Sequence, residues 1–338
     1  MTGLLSKTSL FAGAVVLGLS VNAHAKSLFP VEVDGKWGFM DEKGTVVISP
    51  AYEAAGGFAE DRARVKSDGK WGFIDSKGAW IAEPQFRDAA DFRGHMARVK
   101  TGELLDVRWG YINKDGELVI NPQYDDARDF SDGMAAVNVD RHWGFIDHSG
   151  SSAVETKFNS VGNFADGLAP VEIDGKWGFI DKSGKVVVEP QFDSARDFAS
   201  GSAAVKADGK WGFIDKDGKT VIPVSYEEVG YFADGLAPVQ MNGKWGYVGT
   251  DGKVVIPATF ESAEPFSGKL AAVKTDGGWG YIDRTGKVVI QPSFREARPF
   301  IDGLASVRTA DGLRGDWVYI DNTGRVISPP VERATANP

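Results

Sequence analysis

Nine tryptophans stand in one register along this chain, and that register limits the fold more than any other property of the sequence. Trp37, Trp71, Trp109, Trp143, Trp177, Trp211, Trp245, Trp279 and Trp317 follow one another every 34 residues, with two intervals of 38. The longer intervals contain extra residues around Glu103 to Val107 and around Leu313 to Asp316. Glycine follows each of these tryptophans except Trp317, Phe or Tyr comes two places on, and a second glycine seven places on, from Gly44 through Gly324. Later in the unit come an aromatic at place 15, a Phe at 21, Ala at 26 and Val at 28, as in Tyr52, Phe58, Ala63 and Val65. Self-similarity at a fixed period of this length means tandem supersecondary units, each unable to bury its hydrophobic face alone.

The residue pattern within a unit predicts strands. Ala203-x-Val205 alternates with period two, Asp208-Gly209 supplies a tight hairpin turn, and Lys210 to Ile214 reads as a second strand. Asp215-Lys216-Asp217-Gly218 is a further turn, and β-branched runs such as Val186-Val187-Val188 follow the corresponding position. Each unit is therefore expected to be a three-stranded antiparallel meander. The linker, with Phe192, Ala195 and Phe198 three apart, fits either a helical turn or a short irregular fourth strand. Neighbouring units must share a core, which makes the array a quasi-one-dimensional stack. Two all-β architectures meet that demand. A propeller blade usually takes four strands in about 40–45 residues, in rings of about four to eight blades. Nine compact units, beginning at a first strand and ending at a third with no split blade, favour an open β-solenoid; a closed β-propeller-like ring is the alternative.

The N-terminus differs from the rest. Lys7 is its only charge, Leu10 to Leu19 is an apolar run, and Ala23-His24-Ala25 places small residues where a signal peptidase reads. Residues 1–25 are expected to be a signal peptide, 26–328 the nine-unit array, and 329–338 a disordered tail. The expected location is the periplasm or the outside of the cell, with no transmembrane anchor in the mature chain. Net charge is −9 over the full sequence, which argues against nucleic acid as a partner because phosphate backbones demand cationic surfaces. Cysteine is absent, excluding thiol chemistry and disulfides.

The unit Asp174-Gly175-Lys176-Trp177-Gly178-Phe179-Ile180-Asp181-Lys182-Ser183-Gly184-Lys185 strongly resembles the WG (KWG) repeat family of bacterial proteins, over roughly residues 28 to 328. The resemblance implies a β-rich repeat protein and brings no catalytic residues with it. Three places depart from the pattern: Asp140-Arg141-His142 lacks the turn glycine, Gly249 replaces the turn Asp, and Val318 replaces the motif glycine.

The motif tryptophans are expected in the core, with Trp80, outside the register, the better candidate for an exposed ring. The turn aspartates, such as Asp75, Asp181 and Asp283, read as turn caps, since calcium needs about six to eight clustered oxygens. His142 and His148 lie too far apart on an extended strand to share a metal. Asp125-Asp126 and Glu227-Glu228 read as solvated carboxylates, with a hydrolase pair only a remote alternative. No catalytic residue, metal or cofactor is assigned. In the first strands, the residues alternating with Ala and Val are Arg62, Arg64 and Lys66, and one unit later Arg98 and Lys100. Stacked in register these five cations form a basic, solvent-facing patch, partly neutralised by Glu60, Asp61, Asp88 and Asp91. The expected function is a non-enzymatic binding or scaffold module for a protein or an anionic cell-envelope ligand; a carbohydrate or peptidoglycan binder is the alternative.

Overall fold

The computed structural model describes residues 27–103, 106–310 and 317–327. The signal-peptide reading of residues 1–25 and the tail reading of 329–338 lie outside them. Everything described is strand or turn, and no helix among these residues is long and apolar enough to cross a membrane.

Each unit forms its own antiparallel sheet, and there are nine such sheets. The second is representative. A two-residue strand, Ala54–Ala55, lies beside Arg62–Ser67, which pairs with Lys70–Asp75, which pairs with Trp80–Phe86. The linker is thus the short fourth strand rather than a helical turn, and it begins the sheet. In the hairpin between the two middle strands, Asp208 and Gly209 take φ of 49° and 76°, the doubly left-handed turn that suits an antiparallel pair. The glycine after each Trp has a separate cause. The third strand bulges across it, Trp71 facing Phe86 while Phe73 faces Ala82, so a Cβ on Gly72 would meet the Ala82 carbonyl oxygen at 2.6 Å. Val318 takes this place in the last unit, whose third strand is described only as Val326–Ile327.

Both faces of a sheet are used. Phe73 points to the following unit and joins Phe92, Ala97 and Val99, whereas Ile74, Ala63 and Val65 point back to Phe39 and Ile48 of the preceding one. Phe39–Phe58, Phe73–Phe92, Phe145–Phe164 and Phe179–Phe198 pair edge-to-face across successive boundaries, centroids 4.7 to 5.3 Å apart. Such pairs add about 0.5–1.5 kcal/mol each beyond the area they bury.

Nine units in an open stack would have eight boundaries; the protein has nine core clusters. The ninth joins Phe29, Val31 and Met40 of the first unit to Leu304 and Ile327 of the last, with Tyr319 packed on it. The Tyr319 hydroxyl donates to the Pro30 carbonyl oxygen, 3.2 Å away. This corrects the expectation of an open β-solenoid: the molecule is a nine-bladed β-propeller ring. Closure needs no blade split between the termini, because apolar faces hold every boundary and the first and last faces complement each other. The blades fit within 34 residues because the innermost strand shrinks to two residues in six of the nine sheets.

Third strands carry exposed valines such as Val47, Val187, Val221 and Val289, as expected at the circumference. The short strands converge instead. The Asn163 backbone amide donates to Oδ1 of Asp197, one blade on, at 2.7 Å. That contact between equivalent positions of adjacent blades marks the inner rim of the ring.

Candidate site on the inner rim

The inner rim begins with a size exchange. Residues eight apart, one just past the short strand and one in the next strand, are neighbours: the Gly56 amide donates to the Arg64 carbonyl, Arg128 to Ala136, Gly162 to Pro170, Arg298 to Ser306. Where one is large, the other is small. A Cβ on Gly56 would meet Cγ of Arg64 at 2.8 Å, so the two places hold a single long side chain between them.

Guanidinium groups from both places reach one position over the motif indole of their own blade. Arg64 lies over Trp71, Arg98 over Trp109 and Arg128 over Trp143, each at 5.0 Å from the ring centroid. Arg196 lies over Trp211 and Arg298 over Trp317, each at 4.3 Å. Each such contact contributes about 0.5–2 kcal/mol, more where water is displaced. Three of these arginines then cross to the following blade. Arg64 donates through Nη1 to the Ala89 carbonyl at 2.6 Å and through Nε to Asp91 at 2.8 Å. Arg98 does the same to Ala127 and Asp129, and Arg196 reaches the Val229 carbonyl and Glu228.

The rim carboxylates feel this concave, protein-crowded setting. Burial pushes the Asp91 carboxyl above its ordinary range, against the pull of Arg64 and with the help of Asp129. Burial raises Asp197 as well, opposed by hydrogen bonds from Asn163 and by the charge of Arg128. Glu264 is raised by burial alone.

The five cations of the sequence reading fall on Arg62–Ser67 and Met96–Glu103, strands of two successive sheets, and not on a solvent-facing patch. In a ring of stacked sheets both faces of an inner strand meet a neighbour, so Arg62, Arg64, Lys66, Arg98 and Lys100 lie at blade boundaries, all of them half-buried. Arg62 donates to the Lys114 carbonyl of the next blade, and Lys100 rests over Trp109. Side-chain exposure is 22% for Arg64 and 29% for Arg98. Of the expected neutralising acids, Asp91 serves Arg64, while Glu60 binds His95 and Asp88 caps the Ala89 amide. Sequence reasoning missed Arg128, Arg196 and Arg298 because it followed only the first strand. The reciprocal Gly/Arg and Arg/Ala pairs eight residues apart were the signal.

The remaining candidates resolve as structural parts. Trp109 and Trp211 are buried, Trp317 is 42% exposed, and the other motif tryptophans are half-covered. Trp80, 37% exposed, stands edge-on to Tyr52. Oδ1 of the turn aspartates accepts amides two and four places on, as Asp283 does from Thr285 and Lys287. His148 donates through Nε2 to the Gly94 carbonyl and stacks on Phe130, while His142 donates through Nδ1 to the Asp140 carbonyl. Asp125 binds Arg108 and the Asp140 amide, Asp126 caps Ala127, Glu227 holds the Gly243 amide and Glu228 holds Arg196.

A family model described as "WG containing repeat" matches eight consecutive segments: 37–71, 71–104, 109–141, 143–177, 177–211, 211–245, 245–279 and 279–312. No curated protein matches the sequence. Among solved structures, the fold is similar to one described as the crystal structure of the eukaryotic initiation factor. There the TM-score is 0.60 at 14% identity, covering 89% of this chain and 95% of that one. It is also similar, at a TM-score of 0.44 and 11% identity, to the C-terminal WD40 domain of Sif2, covering 88% and 99% of the two chains. At these identities the likeness concerns the fold alone.

Proposed function

This chain belongs to the WG-containing repeat family, and from that premise we propose that it is an exported, non-enzymatic binding or scaffold module whose recognition surface is the inner rim of the ring. One observation carries the reading. Guanidinium groups supplied from two different chain positions arrive at the same place, stacked on an indole, in five of the nine blades. Packing alone is satisfied by proline at that place, as Pro170 and Pro238 show in blades five and seven. Arginine there adds a planar, multi-donor cation suited to oxyanions. The partner class that fits is a protein or an anionic component of the cell envelope. Trp80, exposed beside Tyr52, supports the carbohydrate alternative.

Retention of the purified protein on cell-envelope fractions, with purified peptidoglycan run beside them, tests the reading. Salt-sensitive retention on the envelope fraction is expected. No retention on either material at low salt overturns it. Export rests on the apolar run from Leu10 to Leu19 and the Ala23-His24-Ala25 site. Mass spectrometry of the secreted form is expected to show Lys26 as its first residue; soluble cytoplasmic protein retaining Met1 overturns that part.

A further inference from the structure

The rim arginines that bind a carboxylate take it from the following blade by a simple rule. Asp91 and Asp129 stand 20 places after their own motif Trp, and Glu228 stands 17 places after its own. Arg128 breaks the rule. The blade after it has Asn163 at the first of these places and Ser160 at the second. Arg128 still stacks on Trp143 at the distance Arg64 and Arg98 keep, yet among the described residues no carboxylate or carbonyl is hydrogen-bonded to its guanidinium. Asp197 feels its charge, but only through space. Its Oδ1 accepts the Asn163 amide at 2.7 Å and its Oδ2 the Asn163 carboxamide at 2.8 Å.

We propose that the rim between blades four and five is a binding site for a carboxylate supplied from outside the chain, held by Arg128. The assignment rests on the reading of the rim as a recognition surface. Arg128 is held in place by Trp143, so little conformational freedom is lost on binding. One in-plane edge of a stacked guanidinium, presenting two N–H groups, can engage a carboxylate in a planar, bidentate pair. A dianionic phosphate suits the place less well, because Asp197, whose carboxyl already feels the charge of Arg128, repels a second negative charge.

The test is calorimetric titration at low ionic strength with three probes: succinate, a tetraglutamate peptide and inorganic phosphate. The wild-type protein is expected to bind succinate if a free small carboxylate is the natural ligand, or the peptide alone if an acidic protein segment is. Two variants are compared. Arg128→Gln removes the cation, and Ser160→Glu supplies a carboxylate from within, at the place from which Glu228 serves Arg196. Both are expected to weaken probe binding about tenfold or more, the worth of a charge-assisted hydrogen bond. Ser160→Glu is expected to melt no lower than wild type, so it keeps the test intact should Arg128→Gln fold poorly. No binding of either carboxylate probe, binding unchanged in both variants, or phosphate bound as tightly as succinate overturns the proposal. Envelope retention by a protein that binds no probe removes this inference and leaves the broader reading standing.

Discussion

Phe29 stands edge-to-face against Tyr319, ring centroids 5.5 Å apart, although 290 residues separate them in the chain. Every other blade has Ala at the place of Phe29, from Ala63 to Ala305, and its boundary ring comes from the linker Phe instead. Phe29 therefore supplies, from a strand, the ring that the ninth boundary would otherwise lack. Phe29→Ala is expected to cost about 3–5 kcal/mol at that boundary. Hydrogen exchange read blade by blade should rise first in the first and last blades; an unchanged exchange pattern there would contradict side-chain closure.

Arg141 occupies a turn position with φ of 68°, where the equivalent turns of other blades use Gly35, Gly69, Gly175, Gly209 and Gly243. A side chain in the left-handed region costs about 1–2 kcal/mol. Arg141→Gly is expected to stabilise by about 1 kcal/mol, visible as a higher denaturant midpoint. A lower midpoint would show that the Arg141 side chain has a role the turn geometry does not reveal.

Arg98 is a boundary residue, so Arg98→Glu is expected to destabilise. It removes a guanidinium bonded to the Ala127 carbonyl and to Asp129, and sets a second carboxylate beside the first. The loss expected is about 2 kcal/mol, as for an unmade hydrogen bond to a charged group, and the melting temperature measures it. A solvent-facing patch residue would leave melting unchanged.

Low pH is expected to loosen the turns before the cores. The Asp181, Asp283 and Asp147 carboxyls are held below their ordinary range chiefly by a neighbouring hydroxyl, with backbone amides adding to it, and Asp321 is lowered to about 2 by Thr323 and its neighbours. A folded-state value below the unfolded one contributes stability at higher pH that is lost as pH falls through the folded value. The window therefore runs from about pH 4 down to about pH 2. Asp91 and Asp197 have the opposite sign: their raised values make protonation favour the folded state, so Asp91→Asn should lose least at neutral pH. Acid titration followed by circular dichroism, with turn amides tracked by exchange, checks both signs.

Much of this fold was legible before any coordinates. The Trp-Gly register, the Asp-Gly hairpins and the alternating Ala and Val defined the sheets because local chemistry dictates them. Ring closure was not, since it depends on a blade-to-blade rotation that no single unit encodes. Its one trace was Phe29 at an alanine place. The five first-strand cations were visible, but their burial was not, because an alternating strand reads as having an outer face until a second neighbour covers it. Arg128 was hidden for a related reason: its meaning depends on Ser160 and Asn163 in the next blade, where expected acids are absent.

Each sheet is completed by one contiguous stretch of chain, and among the described residues no backbone ladder joins the first blade to the last. The seam of the ring is therefore held by side-chain packing and the Tyr319 hydrogen bond to the Pro30 carbonyl rather than by a shared sheet. Duplicating or deleting one 34-residue segment in the gene would add or remove a whole blade without cutting a hydrogen-bonded sheet. Ring circumference in such a protein is a quantity that unequal recombination can tune in single steps, with the new seam needing only one well-placed aromatic to seal it.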